Sequence, residues 1–493
     1  MNMIRNKKSR IAFIVVAVMI PVLASSASAQ STSLKILWDA DGIHAGNHAD
    51  SIHELVATSD LDGGIFLAWV NDHISSNVYF QAVDENGNIP LGLNGKAVCE
   101  AMGEQNSVDI ISDGSGGAII AWLDVRGTNS TIYTQRVDSS GDAYWTDQGV
   151  RVCHNPAEIN EFSMDGDGSG GAYFTWQDKR LGAGSVYAQH VNASGGLSWG
   201  TQGAVVNDAP NWQKEPCITA NGTNGAWVGY INANSGWNRV YVDYLNMTGG
   251  EELSLPLTLG GTDASGLDIT ADGMNGAAIA FGYNSSGSST EYDIVVARVN
   301  ATGLDWMVNA CTAVDHQALP FLLAPGDGSV IVSWKDYRDS LMYETKYAQK
   351  FTLAGVPSWQ ANGTRIMESS TVISGSHGCL GGNGTAFFTW SNSFDIFIQQ
   401  VNASGSLTWG TGGFSILNGT TQNYDPIVVP DTLGGIIIAW RGRISSDFQA
   451  LVQRVGHGAG NGMDFTWLIY FLIPLGIAIV LGVVGLVLKK RKK

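Results

Sequence analysis

The chain has 493 residues, with 44 acidic against 27 basic side chains and a formal net charge of −17. Nine of the basic residues sit in two terminal segments, so the stretch between them is more acidic still, which excludes nucleic acid as a partner for it. The 62 glycines and 16 tryptophans, against only 12 prolines, indicate many tight turns between short strands, and the odd set of cysteines (Cys99, Cys153, Cys217, Cys311, Cys379), without CxxC or CxxH spacing, excludes a zinc site and a dense disulfide framework.

In chain order, Arg5, Lys7, Lys8 and Arg10 precede an apolar run from Ile11 to Leu23, and Ala27-Ser28-Ala29 follows as a small-residue cleavage pattern. Residues 1–29 therefore read as a secretory signal peptide, with an uncleaved anchor helix as the alternative. Residues 30–456 form the expected ectodomain. A short linker, 457–464, leads to an uncharged apolar stretch from Phe465 to Leu488, long enough to span a bilayer as a transmembrane helix. The basic tail, 489–493, is expected to stay in the cytoplasm. The expected placement is a single-pass cell-membrane protein with its N-terminal mass outside.

Between those ends the chain repeats itself. "DGSGGAIIAWLDVR" from Asp113 and "DGSGGAYFTWQDKR" from Asp167 agree at nine of fourteen positions. Aligned on the aromatic that ends the apolar run, Trp69, Trp122, Trp176, Tyr230, Phe281, Trp334, Trp390 and Trp440 mark eight copies spaced 50 to 56 residues apart. In the second copy, "SVDIISD" predicts a strand, Asp113–Gly117 a tight turn, "AIIAW" a strand buried on both faces, "LDVRGTNST" a polar loop, "IYTQRV" a third strand, "DSSG" a turn and "AYWTDQGVRV" a fourth strand. Four strands in about 53 residues make one blade, and the expected fold is an all-β, eight-bladed β-propeller. Trp145, Trp199, Trp359 and Trp409 each stand four residues before a glycine in the predicted fourth strand, and Trp38 stands four before Gly42. The chain thus begins on a fourth strand and ends, at "ALVQRV", on a third. The N-terminal strand is expected to complete the last blade and remove two exposed sheet edges.

The pattern "DGSGGAIIAWLDVR…IYTQRVDSSGDAYW" resembles tandem β-propeller repeats of secreted and surface proteins of prokaryotes, which carry no assigned activity. "VDSSGDAYW", "VNATGLDW" and "VNASGSLTW" also resemble the turn-plus-Trp element of quinoprotein-like propellers. The chain lacks the adjacent cysteines frequent in that family and the Asp boxes of sialidases. The resemblance implies the fold and supplies no activity.

Candidate site residues are few. Asp124 and Arg126, Asp178 and Arg180, and Asp336 and Arg338 recur after the second strand; their repetition reads as a loop-fixing ion pair rather than an anion site. Asp165, Asp167 and Ser169 alternate as metal ligands do in calcium loops, but Trp176 stands where the twelfth-position Glu belongs, so a plain hairpin turn is the favoured reading and calcium the alternative cofactor. His44, His48, His53 and His73 fall within one copy, with nothing to fix their geometry. Second-to-third-strand spacing varies between copies while third-to-fourth spacing is constant, so the loops at one face are where function belongs. Copy four adds Trp212 before its first strand and Trp237 between its second and third, a candidate stacking platform for a sugar or side chain. Asn129, Asn192, Asn221, Asn246, Asn284, Asn300, Asn362, Asn383, Asn402 and Asn418 are glycosylation sequons. The short tether from Val455 to Phe465 is expected to turn the constant-turn face toward the membrane and the variable-loop face outward. The function expected is non-catalytic binding of an extracellular glycan or protein, adhesion, or envelope scaffolding; the alternative is an extracellular enzyme of glycoside- or quinoprotein-like type, which a cluster of acids at the channel mouth would favour.

Overall fold

A computed structural model describes residues 34–457, apart from the loop stretches 40, 47–50, 72–75, 155–156, 160, 181, 183, 208–210, 235–236, 258–262, 285–290, 340–344, 369–372, 393 and 418–420. The expected signal peptide, membrane span and basic tail lie outside the described residues. Among the described residues no helix is long and apolar enough to cross a membrane.

Seven four-stranded antiparallel sheets follow one another along the chain, and an eighth blade joins its last three strands to strands from the N-terminal side, as the repeat predicts. In blade 2 the strands are Gln105–Ser112, Gly117–Asp124, Thr131–Asp138 and Val150–Arg151, laid side by side in chain order. Blades 1 and 3 to 8 start at Ile52, Phe162, Trp212, Asp263, Gln317, Ser374 and Asn423. Each second strand is sandwiched between neighbouring blades, and so it is apolar on both faces: all eight residues of Gly117–Asp124 are buried. Up-and-down order puts the 1–2 and 3–4 turns on one face. The 2–3 loops and the connections between blades share the other, variable face.

The repeated motif is now intelligible residue by residue. Asp113 folds its turn by accepting hydrogen bonds from Ser115 N (2.7 Å) and Gly117 N (2.8 Å). The glutamine of the third strand is buried and ties that strand to the chain entering the fourth. Gln135 Nε2 donates to Thr146 O (2.8 Å) and its Oε1 accepts from Trp145 N (3.0 Å). The aligned tryptophan stacks on the third-strand tyrosine, as in Trp122–Tyr133 and Trp176–Tyr187, with ring centroids 6.4 and 6.1 Å apart.

One expectation is corrected. The second-aromatic residues do not sit in the fourth strand, which in blade 2 is only Val150–Arg151. Trp145 lies in the turn before it, and its indole N–H reaches Ala193 O of blade 3 at 3.0 Å, so this residue joins blades rather than extending a sheet.

The glycine that follows has a steric reason. Gly203 has φ +76, and a Cβ there would lie 2.6 Å from the Trp176 ring and 2.7 Å from Ala188 O. Gly200, with φ +78, faces open space. Gly203→Ala is expected to cost about 2–4 kcal/mol and Gly200→Ala only about 1, read as the difference between their urea midpoints; equal costs would remove the packing argument.

The ring closes as the sequence implies. Ile43–Gly46 pairs with the last described strand, Asp447–His457, through Ile43↔Val452, His44↔Leu451 and Gly46↔Ala450. The glutamine tie is repeated across the chain ends: Trp38 N donates to Gln453 Oε1 (3.2 Å), and Gln453 Nε2 donates to Asp39 O (2.5 Å). Ile52 and Leu55 of blade 1 share an apolar cluster with Val429 and Ile437 of blade 8.

Candidate functional site

Around the axis, the first strands carry a bulge near the variable face, seen as a register shift such as that between Asn106 and Asp109 or between Ala318 and Phe321. The bulge frees backbone N–H groups, and side chains of the preceding blade take them. Glu54 accepts from Val108 N (2.9 Å), Glu215 from Gly266 N (2.8 Å) and Asp268 from Leu322 N (2.7 Å). Glu54, Glu161, Glu215 and Asp425 all stand fifteen residues before the aligned aromatic, so the fold does bring four acids to the channel mouth. Glu161 accepts from Glu215 N (3.3 Å) and Asp425 pairs with Arg441. Glu54, Glu161 and Glu215 stitch blades together, while the Asp425–Arg441 pair lies within blade 8. Burial pushes Asp109 and Asp268, deeper along the channel, up to about 6.

The recurrent Asp–Arg pairs are also inter-blade ties, and they recruit a group that the sequence reading left unassigned. Arg126 Nη2 contacts Cys99 Sγ of the preceding blade at 3.1 Å, Arg180 contacts Cys153 at 2.9 Å, and Arg338 contacts Cys311 at 2.8 Å. Each guanidinium lies over a tyrosine ring, 3.8 to 4.1 Å from the centroid of Tyr133, Tyr187 or Tyr347. Each aspartate is fully buried and accepts the indole N–H of the aligned Trp. The signal was present: each of these cysteines precedes its aspartate by 25 residues. The five cysteines form no disulfide, and burial pushes Cys99 and Cys311 up to about 11.

The three residues read as an alternative calcium loop do not converge. Asp165 accepts from Ala220 N (2.9 Å) and Thr219 Oγ1 (3.0 Å) of blade 4. Asp167 accepts from Ser169 N (2.7 Å) and Gly171 N (2.9 Å), and its other oxygen meets His190 (2.9 Å). Among the described residues no group of three or more His, Cys, Asp and Glu is arranged to hold a metal. His44 bonds Gln449, while His48 and His73 lie outside the described residues.

Trp212 begins the first strand of blade 4 and Trp237 the third, at the variable face. Trp212 is 57% exposed and Trp237 is half-buried; Trp212 pairs with Ala233 and Trp237 with Asn234, so the two stand at one end of one sheet. Of the sequons, Asn192, Asn246, Asn300 and Asn402 occupy the 3–4 turn where blade 2 has Asp138. Their Oδ1 atoms accept from the N–H two residues on, so turn chemistry itself calls for an Asn or Asp there. Asn129 is exposed in a 2–3 loop, and Asn362 Oδ1 accepts from Thr312 N. Asn221 Nδ2 donates to Tyr244, Asn383 lies in a single 3-10 turn, and Asn418 lies outside the described residues. Asn284 is buried, only 1% exposed.

One concavity has no counterpart in the sequence expectations. A cavity of about 270 Å³ opens at the variable-face end of the interface between blades 6 and 7. Phe321, Ser333, Lys335 and Lys346 from blade 6 face Ser376 and His377 from blade 7. Lys335 and Lys346 are directly opposed in the antiparallel register. The positions corresponding to Lys346 in the other blades are Val78, Ile132, Val186, Val240, Ile294, Ile396 and Ala450, each fully buried. Met367, paired with Lys346, stands where Cys99 and Cys311 form their locks. His377 Nδ1 is engaged by the Val428 backbone (3.2 Å), leaving Nε2. Burial, with the Lys346 charge nearby, lowers the His377 pKa to about 4, so the ring is neutral at physiological pH.

No family model matches the chain, and no curated protein matches it in sequence. Solved propellers do. The chain is similar to the polysaccharide lyase Uly1 at 8% identity over 83% of this chain and 99% of that one, with a TM-score of 0.44. It is similar to prolyl oligopeptidase B from Galerina marginata at 11% identity over 80% of this chain and 55% of that one, with a TM-score of 0.45. A third is the β-propeller domain of the Trilobed protease from Pyrococcus furiosus, at 5% identity, 83% and 99% coverage and a TM-score of 0.40. Likeness at this level carries no activity over to this chain.

Proposed function

We propose that this chain is a surface-displayed, non-catalytic binding propeller whose ligand site is the cavity between blades 6 and 7. Its secretion and anchoring rest on the sequence of residues 1–29 and 465–488. The observation that carries the reading is Lys346. A position that is a fully buried aliphatic or alanine in seven blades holds a lysine in the eighth, beside a cavity. A lysine beside a cavity offers hydrogen-bond donors that the aliphatic residue of the other blades does not. The enzyme alternative is less well supported. Glu54, Glu161 and Glu215 are engaged in blade-to-blade hydrogen bonds and Asp425 in an ion pair, and a histidine held near 4 is a weak base at neutral pH. Trp212 and Trp237, on the same face, serve in this reading as an outlying contact for an extended ligand.

Filling the cavity from its rim tests the reading. The purified full chain and its Ser376→Trp variant are compared on a glycan and envelope-ligand array, with thermal melting as the fold control. Ser376→Trp is expected to lower capture about tenfold or more with little change in melting, as blocking a small enclosed site does. Undiminished capture by a folded Ser376→Trp variant overturns the cavity as the site.

A further inference from the structure

We infer that the interface between blades 4 and 5 holds a second binding site, a cavity that takes a small uncharged aromatic molecule of indole or phenol size. The repeat points to it, independently of the site between blades 6 and 7. In six blades the register sets the aligned aromatic directly opposite a second ring, as in Trp176–Tyr187 and Tyr230–Tyr241, and the two stack with centroids 5.6 to 6.4 Å apart. Blade 8 keeps the tryptophan, Trp440, opposite Leu451. Blade 5 has Phe281 opposite Val295. One fused ring is lost where Phe stands for Trp, and a whole phenol where Val stands for Tyr. At that place a cavity of about 370 Å³ opens, walled by Phe281, Val295, Met307 and Val308 of blade 5 and by Leu257 of blade 4.

The neighbours of the missing rings have changed with them. In blade 3 Gly203 lies against the Trp176 ring; by register, Met307 occupies that position in blade 5. Met307 is 41% exposed, so its side chain borders the space instead of filling it. Two residues past the aligned aromatic, Asp124, Asp178 and Asp336 each accept an indole N–H. Phe281 has no N–H to give, and Tyr283 stands at that place, bringing a hydroxyl to the lining instead of a carboxylate. No charged side chain is among the described residues of the lining, and Asn309, exposed at the rim, supplies the other polar group.

Each of these features selects the same guest. Side chains that face an empty space lack the dispersion contacts a ring would supply, and apolar cavities take up flat aromatic molecules. The Met307 thioether makes favourable contacts with the edge of a ring. A single N–H or O–H on the guest is met by the Tyr283 hydroxyl or the Asn309 amide, whereas a charged group finds no counter-charge in this lining. Apolar walls with a few polar groups are the usual make-up of a small-molecule pocket.

The purified full chain is titrated calorimetrically with indole, p-cresol and 1-hexanol, and its melting is followed with each. Indole, p-cresol or both are expected to bind at least about tenfold more tightly than 1-hexanol and to raise the melting temperature as their concentration rises. Phe281→Trp restores the residue of six other blades and fills the cavity, so it is expected to fold while affinity for both aromatics falls about tenfold or more. Val295→Tyr restores the other ring and carries the same expectation if Phe281→Trp fails to fold. Ser376→Trp, which blocks the cavity between blades 6 and 7, is expected to bind the aromatics as the parent does. 1-Hexanol bound as tightly as the aromatics, or binding of neither aromatic, overturns the aromatic assignment. Undiminished aromatic affinity in a folded Phe281→Trp or Val295→Tyr variant, or its loss in Ser376→Trp, overturns the site between blades 4 and 5.

Discussion

Removing Leu34–Gly46 is expected to abolish the cooperative fold of this propeller, or to leave a chain that aggregates on warming well below the parent's transition. The segment contributes the outer strand of blade 8 through Ile43–Gly46, so its loss leaves Asp447–His457 as an open sheet edge, a template for pairing with another molecule. It also takes Ala45, fully buried in the cluster joining blades 1 and 8, and Ala45 O, which accepts from buried Gln81 Nε2 of blade 1 at 2.9 Å. Gln81 Nε2 keeps Gly92 O as its other acceptor, and losing one of its two hydrogen bonds costs about 1 kcal/mol. Trp440 loses its cover as well, since Gly42 lies so close that a Cβ there would be 2.7 Å from its ring. Circular dichroism melting with light scattering checks this; a truncated chain that melts like the parent would show that blades 1 and 8 hold the ring without the strand.

That closure could be read before any coordinates because it follows from counting. A fourth-strand marker at Trp38 without the first three strands, and a third strand at "ALVQRV" without a fourth, admit one solution in a ring of repeats. Blade number was legible for the same reason: the aligned aromatics are fully buried at Trp69, Trp122, Trp176, Tyr230, Phe281, Trp334 and Trp440, a position too constrained to drift. What could not be read was how far each strand runs. "AYWTDQGVRV" looks continuous, yet Gly149 adopts φ +91 beneath Trp122 and confines the strand to two residues.

The cavity was hidden for a different reason. Its residues come from two blades, from Leu319 to Trp390, and the space is made by the small side chains Ser333, Gly375, Ser376 and Thr389, none of which forms a motif. The legible clue was a violation of the repeat. In "YETKYAQKF" a lysine takes the place held by Val, Ile or Ala in every other copy, and comparing copies with one another finds it without any homologue. Trp212 and Trp237 were found as additions to a repeat; Lys346 had to be found as a replacement. The cysteine locks leave no disulfide or metal-site spacing; their signature is a 25-residue offset from Asp124, Asp178 and Asp336.

Those locks set the second large effect. Asp336 is fully buried and accepts from Trp334 Nε1 (2.8 Å) and from Arg338 Nε (2.8 Å) and Nη2 (2.5 Å). The same guanidinium reaches Cys311 Sγ and, at 3.0 Å, Asn362 O, and it covers Tyr347. Arg338→Ala therefore strands a buried carboxylate and removes a bridge between blades 5 and 6 in one step. The expected loss is about 3–5 kcal/mol, the range for breaking a buried pair from one side. Arg338→Lys should recover only a fraction, because an ammonium cannot reach the carboxylate, thiol and carbonyl together from one planar fork. Adding Asp336→Asn to Arg338→Ala should recover part of the loss, since the orphaned charge is then gone while the indole still has an acceptor. Chemical-denaturation midpoints of the three variants check the ordering. If Arg338→Ala costs less than about 1 kcal/mol, the pair behaves as an exposed ion pair and the lock has no role in holding the blades. The neighbouring interface gives the comparison its meaning. Between blades 6 and 7 Met367 stands in place of the cysteine and Asn392 in place of the aspartate, so the interface that lines the cavity has no lock of this kind.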